Sequence, residues 1–355
     1  MRILDRHIAV TLVKRYAITL FVLLSMFSVL ALVQELEDVG DGDYQILDAI
    51  VYVGFTLPRR LLDLAPVSVL LGGLLGLGQL RRGNELTAIR MAGVSVRRFG
   101  WSVAKLNILI IVTLGICTQF VFPPLAQLAE KQRIVATKGQ ARLLKDKGFW
   151  TRDRQQFLHF RGMWQGQVPS LIELYKFDNA GNLISYITAE RARVSAPDNW
   201  HLLNVHEKNI DADSVTNRIY PSKTWKSFIK TSQLAALRLP LTSLSPTGLY
   251  QYAEYLKATG QQAGHVELLF WQKVLSPLGI GVMSLIAVPL AFGAANNLAS
   301  GRQYLQGAII GVLFFLLGQI VSGLGQLAGF SPLLIAALPL AVIAGFAVYL
   351  YRRVT

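Results

Sequence analysis

Cysteine is nearly absent from this chain. Cys117 is the only one in 355 residues and it sits in an apolar run, which excludes an intramolecular disulfide and any cysteine-built metal site. Charge is scarce too, at 16% of residues against about 25% in soluble chains. No Gly-Lys dipeptide occurs, so the phosphate loop of a nucleotide hydrolase is missing. Of the five histidines, His201 and His206 lie close in sequence, but an odd spacing puts them on opposite sides of a strand, without metal-like neighbours. No Ser-His-Asp set, paired carboxylates or nucleophile elbow can be located. What abounds is apolar: 52% of residues are hydrophobic and mean hydropathy is +0.41, which excludes a disordered or collagen-like chain. The net charge of +14 fits nucleic acid, an anionic bilayer or a phosphorylated ligand equally, so placement of the charges must decide.

The apolar residues gather into six runs, each near the roughly 20 residues needed to cross a bilayer core about 30 Å thick. They fall at about 16–33, 61–80, 103–122, 268–292, 305–327 and 332–351. The first is too long for a signal-peptide core and is followed by Gln34, Glu35, Leu36 and Glu37 rather than a cleavage site. The expected fold is therefore an α-helical integral membrane protein with six transmembrane helices, three plus three. Its parts are a membrane half at 1–124, an inserted polar domain at 125–264 and a second membrane half at 265–355. The twelve-residue run Ile46–Leu57 is too short to cross, and reads as a helix on the membrane surface broken by Pro58.

Orientation follows the Lys and Arg of short loops. With the N-terminus inside, twelve such residues lie in inner segments, from Arg2 and Arg6 through Arg81, Arg82, Arg90, Arg97 and Arg98 to Arg352 and Arg353. Short outer loops hold only Arg59 and Arg60. Both termini are then cytoplasmic and the insert lies outside, in the periplasm of a bacterium. That location argues against nucleic acid as a ligand.

Within the insert, five short aromatic or β-branched runs (149–152, 156–160, 171–177, 183–194, 200–205) are separated by turns such as Asp178-Asn179-Ala180-Gly181 and Pro197-Asp198-Asn199. This predicts an antiparallel β domain. Leu183 and Ile187 point one way, Ile184 and Tyr186 the other, so both faces are partly apolar. One face packing a core and the other meeting a neighbouring protein is one reading. A groove open to an apolar ligand is the other.

The insert holds 19 Lys and Arg against 11 Asp and Glu. Its base is the most basic part, with Lys131, Arg133, Lys138, Arg142, Lys145 and Lys147 following the third span. The run is either a solvated helix face or a place where a phosphorylated headgroup is met above the leaflet. Lys273, in the fourth span, admits a lipid phosphate or plain snorkelling. Gly72, Gly73, Gly76 and Gly78, and Gly307 with Gly311, have the small-residue spacing of closely packed helices.

On the inner side, Asn84 to Ala92 reads as a short capped helix. Asn84 precedes it, Glu85 sits in its first turn and Arg90 in its last, Gly93 ends it, and Ser95 caps the next helix. Leu86, Ile89 and Met91 give it an apolar side. It is either an interfacial elbow or a knob that docks in a groove on a soluble partner.

These residues together resemble the LptF/LptG family of lipopolysaccharide-export permeases, its LptG-type members more than its LptF-type ones. The likeness covers the whole chain: Leu4-Asp5-Arg6, Leu70-Leu71-Gly72-Gly73-Leu74-Leu75-Gly76-Leu77-Gly78, Asn84-Glu85-Leu86 and Met91-Ala92-Gly93-Val94-Ser95, with three spans, a β insert and three spans. The resemblance implies a periplasmic β-jellyroll and an inner-membrane permease. It also implies pairing with an LptF-type subunit, a cytoplasmic dimer of the ATPase LptB, the single-span protein LptC and a periplasmic LptA-like bridge. The ligand is lipopolysaccharide, and no cofactor is implied. Carried over by position, Glu85, with Leu86, Ile89 and Arg90, resembles the coupling helix that enters the ATPase groove, and Arg133 a basic residue near the headgroup. Relatives carry lysines at the outer end of the first span, where this chain has Glu37 and Asp38. Phosphate binding then falls on Arg59, Arg60, Lys131 and Arg133, or the lipid itself differs. Ile184, Tyr186 and Ile187 are the candidates for an acyl-chain path through the β domain. The competing reading is a membrane-anchored periplasmic lipid-binding or assembly factor, not coupled to ATP.

Overall fold

The structure, a computed structural model, describes residues 2–138, 149–153, 155–164, 168–196, 199–210, 214–227, 240–292 and 300–354. Among the described residues, five helices precede the sheet: α1 (Arg2–Glu35), α2 (Ile46–Arg82), α3 (Glu85–Met91), α4 (Val96–Phe120) and α5 (Phe122–Lys138). Five described helices follow it: α6 (Pro246–Ala258), α7 (Gly264–Leu275), α8 (Leu278–Phe292), α9 (Ser300–Leu327) and α10 (Pro332–Val354). Helices α1, α2, α4, α9 and α10 are each long and apolar enough to cross a membrane, and α7 with α8, bent against each other, is the candidate for a sixth span.

Two expectations about these helices need correction. The run Ile46–Leu57 is no separate surface helix, because α2 continues from Ile46 to Arg82 with Pro58 and Pro66 inside it. A proline removes one helical N–H, so Pro58 leaves the Gly54 carbonyl and Pro66 the Leu62 carbonyl without a helical donor, a loss that helices packed among neighbours tolerate. The helix starts where a capping box sets it, with the Gln45 amide donating to Asp48 Oδ2 at 2.9 Å. The fourth span, read as one helix, breaks by 47° between α7 and α8. Pro277 has no N–H to continue the ladder there.

Helix α2 is the axis of the bundle, and its glycines face different neighbours. A Cβ on Gly72 would lie 2.9 Å from Tyr16 of α1, one on Gly73 2.9 Å from Ala287 of α8, and one on Gly78 3.0 Å from the Tyr304 hydroxyl of α9. Close approach of three helices to one is what the glycine run provides.

The insert forms one antiparallel sheet in the order β1-β2-β3-β4-β5-β6. The strands are β1 (Phe149–Asp153), β2 (Gln156–Trp164), β3 (Val168–Phe177), β4 (Leu183–Ala196), β5 (Asn199–Ile210) and β6 (Val215–Lys226). The last strand escapes a pattern search because it is largely exposed and carries Pro221, which is tolerated at a sheet edge. Register aligns Leu158 with Leu174 and Leu174 with Ile187. These residues join Ile172, Trp200, Leu202, Val205 and Trp225 in one buried cluster. The Asp178 turn forms as expected: Asp178 Oδ1 accepts from the Ala180 and Asn182 amides at 2.9 and 2.8 Å. The Pro197-Asp198 part of the next turn lies outside the described residues.

Trp200 is fully buried and meets Trp225 edge-on at 5.7 Å. Trp200→Ala is expected to cost the sheet about 3–5 kcal/mol. Pulse proteolysis of the detergent-solubilised chain across a urea series would show cleavage inside the sheet at lower urea; an unshifted profile contradicts the assignment of this core.

Candidate functional site

Three sets of residues came from the sequence, at three places in the fold. At the end of the bundle remote from the sheet, α3 links α2 to α4. Asn84 precedes it at φ 58°, a left-handed conformation that asparagine tolerates. Gly93 at φ 79° ends it, and Ser95 Oγ accepts from the Arg98 amide at 3.3 Å to begin α4.

The packing of α3 sorts the four candidates. Leu86 is 3% exposed, in one core with Ile8, Leu12, Leu80 and Phe99, and Ile89 packs against the same cluster. Both were candidates for docking on a partner, with an interfacial elbow as the other reading. Instead they fasten the helix to its own bundle, because a short amphipathic helix buries its apolar pair against whatever lies beneath it. Glu85 remains exposed, with Oε2 at 2.6 Å from His7 Nε2. Met91, left out of the candidates, is the most exposed apolar side chain of α3, at 85%. The Arg90 side chain lies outside the described residues.

At the opposite end, the cations fare differently from one another. Arg59 and Lys131 are exposed. Arg60 donates to the Phe27 carbonyl at 3.1 Å. Arg133 is engaged inside the chain: its guanidinium binds the carboxylates of Glu35 and Asp38 and lies 5.4 Å over the Tyr52 ring. Burial pulls its pKa down, but the Glu35 and Asp38 carboxylates outweigh that and raise it. Arg133 therefore stands neutralised by two acids. Lys273 also has protein partners, donating to the Thr242 carbonyl at 2.7 Å and to that of Leu244. Arg142, Lys145 and Lys147 lie outside the described residues.

The β-domain candidates divide between two faces. Ile187 belongs to the buried cluster, 2% exposed. Ile184 is exposed and Tyr186 half-buried on the other face, where Tyr186 meets Tyr175 at 4.9 Å and Trp150 stacks on His159 at 4.1 Å.

Six candidate spans around an inserted antiparallel sheet, with a seven-residue helix at the far end, mark a multi-pass integral membrane protein. The chain belongs to the LptF/LptG family: the profile described as lipopolysaccharide export system permease LptF/LptG matches residues 6–353. Among its relatives is the lipopolysaccharide export system permease protein LptG of Haemophilus influenzae, 30% identical over 337 residues, covering 95% of this chain and 94% of the relative. The protein of the same name from Escherichia coli K12 is 30% identical over 354 residues, covering 99% of this chain and 98% of the relative.

Proposed function

We propose that this chain is a permease subunit of an ATP-driven lipopolysaccharide exporter. It extracts lipopolysaccharide from the outer leaflet of the inner membrane and passes it to a periplasmic β-jellyroll bridge of the LptA kind. Its two termini are cytoplasmic and the domain at 125–264 is periplasmic. Its partners are an LptF-type permease, an LptB ATPase dimer and the single-span protein LptC. The observation that carries the reading is α3: a short helix ended by Gly93 and fastened by Leu86 and Ile89, it presents Glu85 and Met91 to the side where ATP is available, on a chain with no nucleotide loop.

Co-purification tests the reading against a mere anchor. A transport subunit brings down an ATPase whose rate changes when lipopolysaccharide is added. Recovery of the chain without an ATPase, or with one indifferent to lipid, contradicts it.

The headgroup sits, on this reading, against Arg59, Arg60 and Lys131, since Arg133 faces Glu35 and Asp38. A charge-assisted hydrogen bond in a partly desolvated site contributes about 1.5–3 kcal/mol, or roughly ten- to a hundredfold in affinity. Lys131→Glu with Arg59→Glu should weaken lipopolysaccharide crosslinking by at least that factor while membrane insertion is normal. Unchanged crosslinking would return these cations to a solvated face.

A further inference from the structure

Arg133 is a candidate for the lipid headgroup by resemblance, yet the structure pairs it with two acids from a distant stretch of the chain. Glu35 ends α1, Asp38 ends the following 3-10 turn, and Arg133 lies in the middle of α5, the helix that leads to the sheet. Glu35 is 10% exposed at the side chain and accepts a second hydrogen bond, from the Tyr44 hydroxyl at 3.0 Å. Tyr44 is buried, and burial together with the Glu35 carboxylate raises its pKa, so it stays a donor. Further along, the Tyr52 hydroxyl donates to Glu130 of α5 at 3.0 Å.

Backbone contacts join the same two parts. The Asp43 amide donates to the Ala136 carbonyl at 2.9 Å. Gly42, at φ 63°, approaches α5 so closely that a Cβ would stand 2.7 Å from the carbonyl oxygens of Ala136 and Thr137. Only glycine fits there in that conformation. The turn between α1 and α2 is thus held on α5 by charge, by hydrogen bonds and by shape.

The other end of α1 is held as well. Ile8 and Leu12 share a core with Leu86 of α3, and His7 meets Glu85. A helix of 34 residues spans about 51 Å at 1.5 Å per residue. One rigid element therefore touches α3 at its start and the stem of the β domain at its end.

We propose that Arg133 is a positioning residue: with Glu35 and Asp38 it clamps the outer end of α1 to α5, so that displacement of α3 travels along α1 to the stem of the β domain. This rests on the transport reading above. It assigns Arg133 to the protein's own mechanics rather than to the lipid, and it assigns Glu35 and Asp38 to the same device. Removing one side of a half-buried ion pair strands the charge on the other, so loss of Arg133, or of Glu35 and Asp38 together, opens the clamp.

The test uses the complete complex with its ATPase in nanodiscs containing lipopolysaccharide. It compares Arg133→Gln, Glu35→Gln with Asp38→Asn, all three together, and the exchange Arg133→Glu with Glu35→Arg. ATPase rate, ATP-dependent lipid labelling by a photocrosslinker at Ile187, and the distance distribution between spin labels at Asp41 and Gln132 are measured. A clamp predicts an ATPase rate within about twofold of the unsubstituted complex, roughly tenfold less labelling in each opened variant, and a broadened distance distribution. The triple variant should be no worse than Arg133→Gln, and the exchange should recover at least half of the labelling. Glu35→Gln with Asp38→Asn separates the two roles of Arg133. If the arginine binds phosphate, freeing it raises labelling, and that result overturns the proposal, as does labelling unchanged in every variant. Should the unsubstituted complex show no ATP-dependent labelling, the transport reading fails by itself. The spin-label distances then decide the clamp alone: broadening in Arg133→Gln supports it and an unchanged distribution overturns it.

Discussion

Glu85→Lys is expected to uncouple the chain from its ATPase while leaving it folded and inserted in the membrane. Within the chain, Glu85 has little to lose. Its pair with His7 is exposed on both sides, and such pairs contribute about 0–1 kcal/mol. A carboxylate in a helix's first turn adds only about 0.3–1 kcal/mol through the helix dipole. A charge pair desolvated at an interface is different, since truncating one partner costs roughly 2–5 kcal/mol. Glu85→Ala should therefore reduce ATPase association by about thirtyfold or more, by the rule that 1.4 kcal/mol is tenfold, and Glu85→Lys should be worse through repulsion. Met91→Asp should act in the same direction, because that side chain is exposed on the same short helix. Size-exclusion profiles of the chain alone should be unchanged. If both Glu85 variants export lipid normally with a normally stimulated ATPase, α3 is only an elbow between two spans.

Gly72→Leu is expected to do the opposite, damaging the chain before any partner is involved. A Cβ at position 72 would already stand 2.9 Å from Tyr16 Cδ1 and 3.0 Å from the Arg15 carbonyl oxygen. Backbone cannot yield as a side chain can, so α1 must move off α2, and overpacking of this kind costs about 3 kcal/mol or more. Gly115→Leu in α4 is the control, because nothing lies within 4 Å of a Cβ there. Thermal unfolding of the isolated chain in detergent should show a large loss for the first variant and almost none for the second. Equal losses would mean that the glycines of α2 are not the site of close packing.

Much of this architecture was legible without coordinates, because a bilayer imposes a length and an apolarity on every helix that crosses it. The features that escaped depend on what lies opposite. Pro58 looks like a helix breaker until α2 is seen among its neighbours, and the exposed strand β6 has too little apolar alternation to announce itself. The candidate sites were harder for the same reason. Leu86 and Ile89 mark an apolar side of α3, but only packing tells whether that side faces Ile8 and Phe99 or a partner. Arg133 lies 98 positions from Glu35 and 95 from Asp38, so no local pattern reveals that its charge is compensated. The faces of β4 needed register with β3 and β5, which placed Ile187 inside and Ile184 and Tyr186 outside.

The most direct test of the transport account is photocrosslinking at three neighbouring positions of β4 in the assembled, lipopolysaccharide-containing complex, with and without ATP. An acyl chain carried over the buried face of the sheet meets Ile187, so a crosslinker there should label lipopolysaccharide when ATP is supplied and not when it is withheld. Crosslinkers at Ile184 and Tyr186, on the opposite face, should label little in either condition. Labelling at Ile187 that is absent or indifferent to ATP, with the complex intact, would contradict the account.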